Sequence, residues 1–343
     1  MIARTLISAA VAAFALLSVG AAVAQQWPNR AVTFIVPFPP GGSVDPLARL
    51  IGAKLSESLQ QQFVVENKPG AAGSIGAAAA VHAPADGYTW LFVFDTHAVN
   101  PALIPNLPFD TRKDLAPVTL IGTAPMAIAT APNKPYQSFA DVIEAAKAKP
   151  KGVSYGSVGS GSLGHLTMTL VGQAAGIDIV HVPYRGGGPM VQDAIGGHTE
   201  LAIGSVAVIS PHVRSGKLRA VAITGDRRTH VLPDVQTLAE GGFPGFSALA
   251  WWGLFAPAGT PQPVLDKFHA EVMRVLKLPD VQTTLTQNLG MDIVASSPKE
   301  LGSFLDKEMT RWGEVVRKNG IKQDCNRLLH LCLIVWSGGA WRS

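Results

Sequence analysis

Short apolar runs alternate with stretches of helical periodicity along most of this chain, and glycine-rich turns join them. Val32–Val36 reads as a buried strand that stops at Pro37. Over residues 45–59, Leu47, Ile51, Leu55 and Leu59 recur every four residues, the spacing of one helix face. Asp45 followed by Pro46 reads as an N-cap with a first-turn proline. A strand over 63–66, a glycine-rich turn over 67–73, an alanine-rich helix from Ser74 and a strand over 89–94 follow. The middle repeats the plan: helix 138–149, strand 153–156, a helical stripe from Leu163 to Ala174, strand 179–183, helix 189–195 and strand 219–223. Alternation of this kind predicts an α/β fold with parallel sheets covered on both faces.

Beyond Phe246 the pattern changes. A strand-like run from Trp251 to Phe255 leads through a proline-rich connection into three helices. The last opens on Ser297, Pro298, Lys299 and Glu300, a capping box with proline at the first helical position. The arrangement reads as two parallel-sheet α/β domains, the second inserted into the first, joined by a hinge. Domain 1 is expected over 25–125 and 250–322, and domain 2 over 126–249. Such a pair places its ligand cleft where strand carboxyl ends face each other.

The two ends of the chain are expected to lie outside this fold. In residues 1–24, Arg4 precedes an Ala- and Leu-rich apolar stretch, and Ala22, Val23 and Ala24 supply the small-x-small pattern read by signal peptidase. A membrane anchor is the competing reading. The expected product begins at Gln25 and is soluble outside the cytoplasm. Both cysteines, Cys325 and Cys332, fall in the last twenty residues, so the predicted fold is cysteine-free, which suits an oxidising compartment. The nine histidines form no H-x-x-x-H pair, and no metal site is expected. With 28 basic against 24 acidic side chains and no basic run, a nucleic-acid partner is not expected either.

Four loops carry candidate ligand-binding residues. The first contains Phe38, Pro40, Gly41, Gly42, Ser43 and Asp45; its paired glycines let backbone N–H groups approach an anion at a helix N-terminus. Asp45 is read more as a cap than as a contact. The second contains Ser157, Gly159, Ser160, Gly161, Ser162 and His165, a cradle of hydroxyls and amides that suits a carboxylate. Asp95, Thr96 and His97 follow the third strand, and Arg185 stands in a loop of three glycines. Each loop has a plain alternative, a turn without a ligand, and each histidine a structural one.

Gly159, Gly161 and Gly164 formally match a dinucleotide fingerprint, but Asp178 precedes the next strand instead of ending it, and no cofactor is expected. G-x-S-x-G, P-loop and H-E-x-x-H patterns do not occur. Ser160 or Ser162 with His165 is the one arrangement that a hydrolase could use, and it lacks the elbow that exposes such a nucleophile. The chain is therefore expected not to be an enzyme.

Several motifs in register resemble one family. They are Trp27 to Arg30, the loop from Val36 to Asp45, and the run from Val65 to Gly73. Ala85 to Thr89, Tyr155 to Ser157, His181 to Gly186, Gly216 to Arg219, and Trp252 to Pro261 follow in order. Together they resemble the Bug family, the extracytoplasmic solute-binding receptors of tripartite tricarboxylate transporters. The resemblance implies a periplasmic location and a periplasmic-binding-protein type II-like fold, two α/β domains closing on a small carboxylate: an organic acid, dicarboxylate, aromatic acid or acidic amino acid. It implies a carboxylate held by the first two loops through backbone groups and waters, and delivery to membrane subunits of a transporter by a monomeric receptor. Ser205 stands where an acid or amide is common in the family, at the far end of the pocket. Residues 323–343 extend past the family's usual end, as a frameshifted or read-through segment or as a partner-docking tail. A sensor for a membrane signalling partner is the alternative function, since the difference lies outside this chain.

Overall fold

A computed structural model describes residues 27–323. The expected leader and all but the first residue of the atypical tail lie outside that range, and with them both cysteines. Ten strands form one curled sheet in the order β2-β1-β3-β9-β4-β7-β5-β6, with β8 and β10 added alongside β4.

The first half is built on β1 (Val32–Val36), β2 (Phe63–Asn67) and β3 (Thr89–Phe94), all parallel. Their helices are α1 (Val44–Leu59), α2 (Ser74–Val81) and α3 (Thr96–Leu103). The helix α1 buries Leu47, Ile51 and Leu55, the stripe that its four-residue spacing predicts. It begins at Val44, so its N-cap position is Ser43, and Asp45 lies inside the first turn. The second half carries α4 (Phe139–Ala148), β5 (Ser154–Ser157), α5 (Leu163–Ala175), β6 (Val180–Pro183) and α6 (Gly187–Ile195). It continues with β7 (Leu201–Ser205), α7 (Val206–Arg214) and β8 (Arg219–Ile223). Here β7, β5 and β6 are parallel.

Two strands join the halves and make the sheet mixed where a wholly parallel one was expected. The sixteen-residue β4 (Leu115–Thr130) pairs antiparallel with β9 (Leu249–Pro257) through its first part and with β7 and β8 through its second. A chain that leaves one half and returns must run in both directions across the seam. The chain then closes with α8 (Gln262–Leu276), α9 (Pro279–Thr283), β10 (Asp292–Ile293) and α10 (Pro298–Lys318), whose capping box of Ser297 and Glu300 is formed. No helix among the described residues is long and apolar enough to cross a membrane.

The core beside the first three strands is aromatic. Trp90 and Phe268 stack at 3.6 Å, and Phe34 meets Phe63, Phe92 and Phe268 edge-on or tilted. This packing fixes the carboxyl ends of β1 and β3, from which the first binding loop and Phe94 project.

Candidate functional site

The loop after β1 and the loop after β6 meet face to face. Both present glycine backbone: a Cβ placed on Gly187 would lie 3.5 Å from Gly42 Cα, and one on Gly188 would lie 3.4 Å from the Pro40 carbonyl. Gly41 opposes Gly188 and has a φ of +88°, a conformation that favours glycine. Between these loops lies a narrow pocket that opens to solvent. Gly42, Ser43 and Val44 line it from the start of α1, Gly186 and Gly187 from the start of α6, and Ser205 from the start of α7.

Three helix N-termini from the two halves thus open onto one pocket. Backbone N–H groups in a first turn have no partner within the helix, and each terminus carries partial positive charge. Two of these helices have serine at the N-cap, and neither hydroxyl caps its own helix. Ser43 Oγ accepts a hydrogen bond from Trp252 Nε1 at 3.2 Å. Ser205 Oγ is buried and has no hydrogen-bond partner among the described residues. This hydroxyl lines the pocket with its hydrogen-bonding capacity available to a polar group.

The rest of the lining is apolar: Phe38, Phe94, Met126, Val158 and Val208. Phe38 and Phe94 pack edge to face at 6.0 Å, and Phe94 leans on Trp252 at 5.3 Å, so the wall is braced from behind.

The candidate residues divide into three groups. Phe38, Gly42, Ser43 and Ser205 line the pocket, with Pro40 and Gly41 exposed at its rim beside Gly188. Asp45 is turned away into an ion pair with Arg49, 3.0 Å from each carboxylate oxygen, and accepts from Asn67 at 2.9 Å. Burial raises its pKa, but these hydrogen bonds and the Arg49 charge outweigh it and leave a net lowering.

The second glycine-rich loop is knit to itself. Ser162 caps α5 and donates to Ser157 Oγ at 3.1 Å; Ser157 Oγ lies 2.7 Å from His181 Nε2. Gly161 N donates to His165 Nδ1 at 3.0 Å, and the rings of His165 and His181 stack at 3.9 Å. Burial, aided by the neighbouring His165, lowers the His181 pKa to about 3, so this imidazole is neutral. Ser160 is buried, and Gly159 stands beside the Tyr184 carbonyl with φ +127°. From this loop the pocket receives only Val158.

The group after β3 is helical, not a loop. Thr96 and His97 begin α3, and both are buried. The His97 ring packs against Phe109 and Phe255, and burial lowers its pKa to about 4. Asp95 is buried too; its Oδ1 accepts from Leu163 N at 3.5 Å, at the start of α5, and burial pushes its pKa up to about 8. Arg185 is exposed and takes part in no ion pair among the described residues.

Val44, Phe94, Met126, Val158 and Val208 line the pocket without having been candidates, and Gly186 and Gly187 do so from a loop that the sequence singled out for Arg185. In that loop the glycine backbone, and not the cation, faces the pocket. The apolar residues read as ordinary core.

This fold and site define an α/β binding protein, with its pocket between two sheet halves. A family model described as the tripartite tricarboxylate transporter family receptor matches residues 47–321. Protein BugT of Bordetella pertussis is 37% identical over 302 residues, which cover 87% of this chain and 92% of BugT. Among solved structures, R. palustris Rpa4515 with adipate superposes with a TM-score of 0.83 at 33% identity, over 86% of this chain and 99% of that one. MatC from Rhodopseudomonas palustris with bound malate gives a TM-score of 0.79 at 33% identity, over 84% of this chain and 100% of that one. The chain belongs to the tripartite tricarboxylate transporter receptor family of solute-binding proteins.

Proposed function

We propose that this protein captures a small carboxylate in the periplasm and delivers it, as a monomer and without chemical change, to the membrane subunits of a tripartite transporter. The observation that carries the reading is the convergence of three helix starts with the unpartnered Ser205 hydroxyl. Such donors suit a carboxylate, which accepts several N–H and O–H bonds at once. Adipate and malate in the two related structures support the same class. In this reading residues 25–125 with 250–322 form one jaw and 126–249 the other, and the loops around Gly42 and Gly187 close on the acid. Export removes residues 1–24, and residues 323–343 are dispensable for binding.

A thermal-shift screen over organic acids tests the reading. A carboxylate present well above its dissociation constant raises the melting temperature, and chromatography recovers the acid intact. Absence of stabilisation by every acid, or conversion of the acid to a product, overturns it.

A further inference from the structure

The loop after β1 is held by a side chain that stands outside the pocket. Asn67 is the last residue of β2 and pairs in register with Val36, so it sits beside the point where β1 runs out into the loop. Its amide nitrogen is aimed at both ends of that loop. Asn67 Nδ2 donates to the Phe38 carbonyl at 2.9 Å and to Asp45 Oδ1 at 2.9 Å. Asn67 Oδ1 accepts from Arg49 Nη2 at 3.2 Å, and Arg49 forms the ion pair with Asp45. A flipped amide would set its oxygen against two acceptors and its nitrogen against a cation, so the network fixes the orientation.

We propose that Asn67 is a positioning residue for ligand binding: its amide clamps both ends of the first loop and so holds the first-turn N–H groups of α1 toward the pocket before a ligand arrives. The proposal rests on the carboxylate reading above. Phe38 and Asp45 bracket six residues, among them Gly41 and Gly42, whose backbone is the least restricted of any residue type. Gly42, Ser43 and Val44 line the pocket, and Asn67 does not. Without the clamp, ordering the loop falls to the ligand, and apparent affinity drops in proportion to the fraction of loops that are competent. The same bonds keep the Asp45 carboxylate engaged. Asp45 lies in the first turn of α1, so its charge, left unpaired, would compete with an incoming acid for the same helix start.

Two variants test the clamp at pH 7.5. Asn67→Leu removes every polar contact at nearly constant volume. Asn67→Asp keeps an oxygen for Arg49 but has no N–H to donate, and it serves if Asn67→Leu does not fold. Amide exchange of the ligand-free proteins is expected to quicken at least about tenfold over Gly41 to Val44, with the exchange of α8 and β9 unchanged. Stopped-flow fluorescence then follows binding of whichever of adipate, malate, benzoate and glutamate binds the wild-type protein most tightly. Association is expected to slow at least about fivefold while dissociation stays within about twofold, because the clamp acts on the loop before binding. Unchanged exchange in both variants, or unchanged association, overturns the proposal and leaves the carboxylate reading intact. A loss of affinity carried by faster dissociation overturns it too, since a residue that touches or buttresses the bound acid acts there. Failure of all four acids to bind the wild-type protein overturns the carboxylate reading, and the proposal with it.

Discussion

The indole N–H of Trp252 donates to Ser43 Oγ at 3.2 Å, tying a strand shared by both halves to the residue that opens α1. The bond draws the serine hydroxyl off its own helix and leaves the first-turn N–H groups available. Trp252→Phe removes the donor and keeps most of the aromatic packing. Affinity for a bound carboxylate is expected to fall about fivefold, the equivalent of roughly 1 kcal/mol for one hydrogen bond. Calorimetry checks it, and unchanged affinity would show that Ser43 needs no anchor.

Gly186 and Gly161 separate loop closure from loop folding. A Cβ on Gly186 would lie 2.9 Å from Pro39 Cγ, yet its φ of 167° is extended backbone open to any residue. Gly186→Val is expected to hold the two loops apart, weakening ligand at least about tenfold with a near-native melting temperature. Gly161 has φ +75°, and a Cβ there would overlap the buried Leu103 side chain. Gly161→Val should therefore lower the melting temperature itself, by several degrees. Denaturation curves beside binding curves distinguish the two, and identical behaviour of both variants would refute the distinction.

The pH dependence of stability follows from Asp95 and His97. Asp95, raised to about 8, keeps its proton in the folded chain after the unfolded chain has lost it near 3.8. Stability from this group is present at low pH and is lost as pH rises toward 8. His97, lowered to about 4 from 6.5, acts oppositely, adding stability as pH rises through that window. Above pH 6.5 the Asp95 effect stands without opposition from His97. The melting temperature is expected to drop by roughly 4 °C between pH 6.5 and 8, and Asp95→Asn to flatten that drop. An unchanged slope in Asp95→Asn would place the charge elsewhere.

Arg185 supplies a negative control. Exposed and outside the pocket lining, it is expected to change affinity by less than about twofold when replaced by Ala, as for surface sites free of special contacts. A tenfold loss in a direct titration would bring the guanidinium into the site.

Much of the first half was legible without tertiary information. The stripe of Leu47, Ile51 and Leu55 fixed α1, and Pro37 with the paired glycines fixed the loop that precedes it. The capping box at Ser297 marked the start of α10 to the residue. The helix α3 has no counterpart among the expected elements because its two leading residues, Thr96 and His97, are polar, as in a loop; burial makes them core, His97 against Phe109 and Phe255. The strand β4 has no counterpart among the expected elements; the expected boundary between domains, at 125 and 126, falls inside it. It is continuous because it lies beside β9 over its first part, with register shifts near Pro117 that absorb an irregularity.

What the sequence determined by itself is local: which segments are strands and helices, and that glycine-rich turns open several helices. A helix start is an anion site in principle wherever it occurs, since its unpaired N–H groups come from the first turn alone. Tertiary structure decided which starts remain available. The start of α5 faces the carboxylate of Asp95, sixty-eight residues earlier in the chain, while α1, α6 and α7 open onto the common pocket. It also decided the pocket's apolar half, because Phe94, Met126 and Val158 become neighbours only through the curled sheet, with β9 and β4 lying between β3 and β7. Periodicity reports which face of an element is buried; which elements share that burial is set by the long-range pairing of strands.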